Sequence, residues 1–236
     1  MVRLSRGLVN LSSAIWRLRI ETVRTHTALW KQPPDGFEWL ALCLRFANTA
    51  DWHAGPHPTE SLKTYQDLVA WGTNGGLIPR RETARLMRRV SSQPARAREA
   101  LSRAVAAREV IYRIMADLAH GRAPAGRDLS ALNRALASAL RRSRLVSNAA
   151  RPRGAGRFAW EIIGRIDDFD RVLWPVLKSA ADLLTSPELR RVKQCADDRG
   201  CGFLFLDRSK NLSRRWCSMK SCGNRAKVLG YYRRRG

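Results

Sequence analysis

From Phe37 onward, apolar positions recur at helical spacing along most of the chain. Phe37, Trp39, Leu40, Leu42, Cys43, Leu44 and Phe46 form a dense run that predicts a buried first element over Phe37–Ala50, a helix rather than a strand. Cys43 sits inside it as a small core hydrophobe. Leu62, Tyr65, Leu68, Val69 and Trp71 predict a helix over Ser61–Trp71, broken by Gly72–Gly76. Leu86, Met87 and Val90 predict another over Pro79–Val90, with Arg80, Arg81, Arg85, Arg88 and Arg89 outside. The longest pattern runs from Pro94 to Ala119. It turns Ala97, Leu101, Ala104, Val105, Val110, Ile111, Ile114, Met115 and Leu118 inward. Pro94 suits its first turn and Gly121 its end. Arg96, Arg98, Arg103, Arg108 and Arg113 are its outer stripe, a solvated face before it is a second DNA contact. Asp128–Leu140 is a further helix, antiparallel to the long one across Gly121–Gly126. Asp168–Leu184 is the last, with Phe169, Val172, Leu173, Val176, Leu177, Ala180, Leu183 and Leu184 packing.

Between these elements the pattern lapses. Thr49–Pro58 reads as a loop in which Asn48, Asp51, His53 and His57 either converge on a ligand or metal or pin the loop by hydrogen bonds, the plainer reading. Arg141–Arg157 holds six Arg and no acid. It reads as a loop, or as the bend of a hairpin returning along Phe158–Ile163. In residues 1–35, Leu4, Leu8, Leu11, Ile15 and Leu18 fall at helical spacing among arginines. That is either a basic amphipathic helix or an extension without a stable fold; it lacks the core and cleavage site of a signal peptide.

After Glu188 the pattern shortens to strand and turn. Four of the five cysteines lie here, as Cys195-x5-Cys201 and Cys217-x4-Cys222. Two close pairs joined by a short spacer suit one tetrahedral Zn²⁺; a disulfide set or four unrelated thiols is the alternative. Phe203–Leu206 reads as a strand, Asp207–Asn211 as a turn, Leu212–Trp216 as a returning strand, and Cys222–Leu229 as a turn opening a short helix. Knuckle, hairpin, knuckle, helix is a treble-clef order. Four Cys ligands leave no open position, so such a site is structural.

The words around those cysteines are distinctive. Cys201-Gly202-Phe203-Leu204-Phe205-Leu206-Asp207-Arg208-Ser209, Arg214-Arg215-Trp216-Cys217-Ser218-Met219 and Cys222-Gly223-Asn224-Arg225-Ala226-Lys227 resemble the CGNR zinc-finger family. Upstream, Phe46-Ala47-Asn48-Thr49, Asp67-Leu68-Val69-Ala70-Trp71 and Asp128-Leu129-Ser130-Ala131-Leu132-Asn133 resemble landmarks of the ABATE domain, the usual partner of that finger, described as a stress-induced transcription regulator. The resemblance spans about residues 37 to 229, dense at the end and sparse in the middle. It implies a bacterial, zinc-bound, DNA-binding protein.

Charge sharpens this expectation. The chain of 236 residues has 44 Lys or Arg against 20 Asp or Glu, a formal net charge of +24. A surplus of this size calls for polyanionic company, DNA, RNA or an acidic membrane surface. Fourteen of the basic residues and four of the acidic ones fall in 188–236, a net of +10, or +8 once four thiolates have bound Zn²⁺. The finger is therefore the expected polyanion contact.

Enzyme signatures are missing. No GxSxG, HExxH, P-loop or kinase motif occurs, and the four His are not paired with Cys or Ser in any recognisable frame. Asp167 and Asp168 diverge by about 100° on a helix, so they form no dyad unaided.

The expectation is a mainly α protein with no enzymatic activity and no transmembrane span. It has a basic extension (1–35), a helical domain for sensing or dimerisation (36–187) and a treble-clef-like zinc finger with a basic tail (188–236). Cys195, Cys201, Cys217 and Cys222 would hold one structural Zn²⁺. Lys210, Arg214, Arg215, Asn224, Arg225 and Lys227 would contact nucleic acid, with Arg233–Arg235 adding unspecific attraction. Trp216 is read as a cover over the metal before a base-stacking platform, and Asp207 and Asn224 also suit local caps. The expected protein is a cytoplasmic, nucleoid-associated transcription regulator that binds DNA in preference to RNA, as a homodimer or under a small-molecule effector. The alternatives are an RNA-binding or ribosome-associated protein and a protein-interaction adaptor with a structural finger.

Overall fold

The computed structural model describes residues 36–147, 158–163, 168–197 and 199–233. The 1–35 extension, Asp167, the 148–157 part of the arginine-rich stretch and the tail at Arg234 and Arg235 lie outside the described residues.

The first apolar run forms two short helices, α1 (Gly36–Leu40) and α2 (Leu42–Ala47). They sit on α7 (Leu173–Leu184), where the Ser179 hydroxyl donates to the Trp39 carbonyl and accepts from the Cys43 amide. Cys43 is core, and burial pushes its thiol up to about 12. Helix α3 (Tyr65–Asn74) starts later than expected, at a capping box: the Asp67 amide donates to the Thr64 hydroxyl, and Asp67 accepts from the Thr64 amide. It also runs through Gly72, the expected break, where a Cβ would stand 3.1 Å from the Val172 side chain; the glycine serves close packing and not helix termination. Helices α4 (Arg80–Ser92) and α5 (Pro94–Ala119) follow, then α6 (Gly126–Leu140), which returns along α5 with Arg113 paired to Asp128 at 2.6 Å. A 3₁₀ turn, Phe169–Val172, is capped by Asp168 and leads into α7.

One expectation about α5 is overturned. Arg108 is not on an outer stripe: it is 3% exposed and makes hydrogen bonds to Glu60 at 2.6 and 2.7 Å and to Glu109 at 2.8 and 3.0 Å. The two carboxylates offset its desolvation, so an arginine can stand where periodicity alone predicts solvent. Glu60 belongs to β2 (Thr59–Glu60), paired with β1 (Ala50–Asp51) in a small hairpin. The expected loop is thus a hairpin tied to α5. A second hairpin pairs β3 (Ser143–Ser147), itself inside the arginine-rich stretch, with β4 (Phe158–Ile162), as one of the two readings of that stretch required.

Chain order continues through a 3₁₀ turn (Pro187–Arg191) into β5 (Val192–Gln194) and β6 (Leu204–Leu206), an antiparallel pair. Here the expected hairpin is corrected. The partner of β6 is β5, before the first cysteine, not Leu212–Trp216, which forms no strand. Leu212 has φ +49°, and the buried Asp207 carboxylate accepts from the amides of Ser209 and Arg214, folding that segment back as a turn. Val192, Leu204 and Leu206 join the same hydrophobic core as the helices. The free edge of β6 is met by Asn48, whose side chain donates to the Leu204 carbonyl (2.8 Å) and accepts from the Leu204 amide (2.9 Å). One side-chain amide thus does the work of a neighbouring strand.

Asn48→Ala leaves both main-chain groups of Leu204 unpaired in a half-buried place. It should cost about 2 kcal/mol of stability, read as a lower urea midpoint at unchanged slope.

Candidate metal centre and its cationic surface

Cys195 follows β5 and Cys201 precedes β6, so the first pair is held in the turn of one hairpin. Its form depends on two glycines at positive φ. A Cβ on Gly200 (φ +92°) would come within 2.5 Å of Gly55 Cα. One on Gly202 (φ +66°) would come within 2.5 Å of Ala54 N and 2.6 Å of the Tyr112 hydroxyl oxygen. Cys217 stands just before the π-helical turn Met219–Gly223 and Cys222 within it; the turn leads into α8 (Asn224–Arg233).

The four Sγ atoms all lie within 4.8 Å of one another. Cys201–Cys217 and Cys217–Cys222 are 3.8 and 3.6 Å apart. Sulfurs at about 2.3 Å from a tetrahedral Zn²⁺ stand about 3.8 Å apart, so the quartet fits that ion. No pair is at bonding distance, and all four are free thiols. Burial, with the other sulfurs close by, pushes the Cys201 thiol up to about 12 and raises Cys217 as well. A divalent cation reverses that logic by stabilising every thiolate at once. The Cys217 amide donates to Cys195 Sγ at 3.4 Å, and the Arg225 guanidinium donates to Cys222 Sγ at 2.8 Å. Both spread the excess negative charge of a four-thiolate site.

The candidate contact residues divide into two sets. Arg225 also reaches Asp197 (3.0 Å) and lies over the Trp52 ring, and Asp197 binds Arg199 in turn. Those guanidinium bonds, Arg199 first, hold the Asp197 carboxyl well below the usual range. Arg214 lies over the Phe205 ring and donates to the carbonyls of Trp216 and Cys217, fixing the approach to the second pair. Arg214 and Arg225 are therefore built into the centre. Lys210, Arg215, Asn224 and Lys227 are exposed, as is Lys220. Arg215 lies over Trp216, which packs half-buried against the cysteines as a cover.

Asn48, Asp51, His53 and His57 do not gather a second metal. Asn48 holds β6. His53 stacks on Tyr112 with ring centroids 3.5 Å apart and bonds Glu109 at 2.8 Å. The Tyr112 hydroxyl donates to the Gly202 carbonyl and accepts from Gln194. Trp52, Tyr112 and Asp197 were not singled out from sequence. Only the place of Asp197 two residues after Cys195 could have flagged it, since the partners of Trp52 and Tyr112 are far away in the chain.

Comparison with known families fits this geometry. Residues 40–187 match ABATE, described as "Putative stress-induced transcription regulator", and residues 191–235 match the CGNR zinc finger. The chain belongs to the ABATE family. Its four cysteines stand within the matched finger, as one metal site requires. No curated protein matches the chain. No helix among the described residues is long and apolar enough to cross a membrane.

Metal removal should undo the finger first. With a strong chelator, or in Cys222→Ser, stoichiometric zinc is lost on elemental analysis, and protease cleavage appears within 195–233 while the helical signal is largely kept. A pH test bears on the contact with the helices. The hydrogen bond from His53, with Arg108 added, holds Glu109 down to about 2 from an ordinary 4.5. A depressed carboxylate contributes in full above its ordinary value and loses that contribution as pH falls toward 2. Glu109→Gln should therefore be less stable than the wild type at pH 7, and the gap should close between about pH 4.5 and pH 2 in circular-dichroism melts.

Proposed function

We propose that this ABATE-family protein is a transcription regulator that binds DNA through the exposed basic face of its finger, with zinc in a structural and not a catalytic role. The observation that carries the reading is the division of the finger's cations. Arg214 and Arg225 bind the centre itself, whereas Lys210, Arg215, Lys220 and Lys227 are exposed and make no ion pair among the described residues. Unpaired cations on a rigid support attract phosphates without first breaking internal bonds. The net charge of +24 adds long-range attraction. The amide at Asn224 is taken by the π-helical turn ahead of α8, so Asn224 offers its exposed side chain and not a free helix start. A cytoplasmic, nucleoid-associated place follows from this reading.

Replacing Lys210, Arg215 and Lys227 together with Ala should leave zinc content and melting temperature unchanged. If each meets one phosphate, the slope of log affinity against log salt on duplex DNA should fall by roughly 2.7. Equal binding by the triple variant and the wild type would remove the finger from the interface. Tighter binding of structured RNA than of duplex DNA at two salt concentrations would replace DNA with RNA as the partner.

A further inference from the structure

A cavity of about 240 Å³ lies between α5, α6 and α7, away from the metal centre. It exists because four alanines face it, Ala106 and Ala107 of α5 with Ala131 and Ala135 of α6, where larger side chains would fill the gap. Trp174 and Leu177 of α7, both buried, make the opposite wall. Arg103 and Asp170 line it too, joined by bonds of 2.9 and 3.1 Å from Arg103 Nε and Nη2 to both carboxylate oxygens. Half-exposed, they put the polar end of the cavity on its solvent side. The cavity is thus open to solvent at that end, which gives a ligand a way in.

We propose that this cavity is a binding site for a small neutral aromatic molecule of one or two rings bearing a single hydroxyl or ring N–H. Size sets the first part. A dry cavity of about 150 Å³ takes one benzene ring, so the larger volume here takes two fused rings. Wall chemistry sets the second, since alanine, leucine and tryptophan offer dispersion contacts and Trp174 an aromatic face. The ion pair sets the third. An anion bound to Arg103 would sit beside the Asp170 carboxylate it had displaced, and a cation on Asp170 would sit beside Arg103. A neutral hydroxyl or N–H meets neither penalty. It donates to a remaining lone pair of Asp170 and leaves the Arg103 bonds intact. The assignment stands whether or not the finger binds DNA.

Titration calorimetry of the full-length zinc-loaded protein with 2-naphthol, and with 2-naphthoate as the charged comparison, tests this. Saturable binding of 2-naphthol is expected, with 2-naphthoate weaker by roughly tenfold or more. Ala135→Phe should fill the cavity and weaken 2-naphthol at least tenfold. Asp170→Asn removes the competing carboxylate, so 2-naphthoate should gain roughly tenfold while 2-naphthol changes little; this variant decides the matter if Ala135→Phe does not fold. No saturable heat with 2-naphthol up to about 1 mM would overturn the assignment. So would a well-folded Ala135→Phe that binds like the wild type, or an Asp170→Asn whose 2-naphthoate affinity does not change.

Discussion

Four thiolates within 4.8 Å of one another cannot share that space without a cation. Much of the finger answers to this constraint. The short β5–β6 hairpin places one pair, and the π-helical turn ahead of α8 places the other. A zinc bound by four thiolates still has a net charge of −2. Arg225 and the Cys217 amide face that charge from outside the ligand set. Asp197 then fixes Arg225 and Arg199 in place. A basic finger is thus basic for two reasons, and only the cations left over after the centre is balanced are available to a partner.

Metal alone does not explain the placement of the finger. The apolar side chains of β5 and β6 enter the helical core, and Asn48 completes the hydrogen bonding of Leu204. Gly200 and Gly202 let the knuckle come against the 52–55 loop with no side chain between. A small zinc module buries too little apolar surface to be stable by itself. Here it borrows the core of its neighbour, so the sequence boundary between helical and zinc-binding segments is a continuous contact in three dimensions.

What the sequence disclosed depended on the range of the interaction. Spacing within one segment named the four cysteines, because both pairs are local turns. Periodicity placed α5 from Pro94 to Ala119, because a helix is made by bonds four residues apart. The misreadings involve distant partners. Arg108 fits a solvated stripe until Glu60, 48 residues away, is known to face it. Asn48 and His53 do pin their segment by hydrogen bonds, as the plainer reading has it, but their partners, β6 and Glu109, are not in the local pattern. Leu212–Trp216 has the look of a strand, but the Asp207 carboxylate takes the Arg214 amide that a ladder would need. Buried polar groups are where one-dimensional patterns say least, because their cost is offset by partners that the pattern does not contain.

The long helix joins the two halves of this argument. At about 100° per residue, Arg103, Ala107 and Val110 share one face of α5, and Arg108, Glu109 and Tyr112 centre on a face about 180° away. The first face lines the α5–α6–α7 cavity; from the second, Tyr112 reaches Gly202 beside a zinc ligand. A packed helix moves as a rod, not as independent residues. The same helix thus carries the cavity wall on one side and, through Tyr112, the contact with the cysteine knuckle on the other. Substitutions on either face of α5 therefore act on one shared element, which ties the packing of the helical segment to that of the finger.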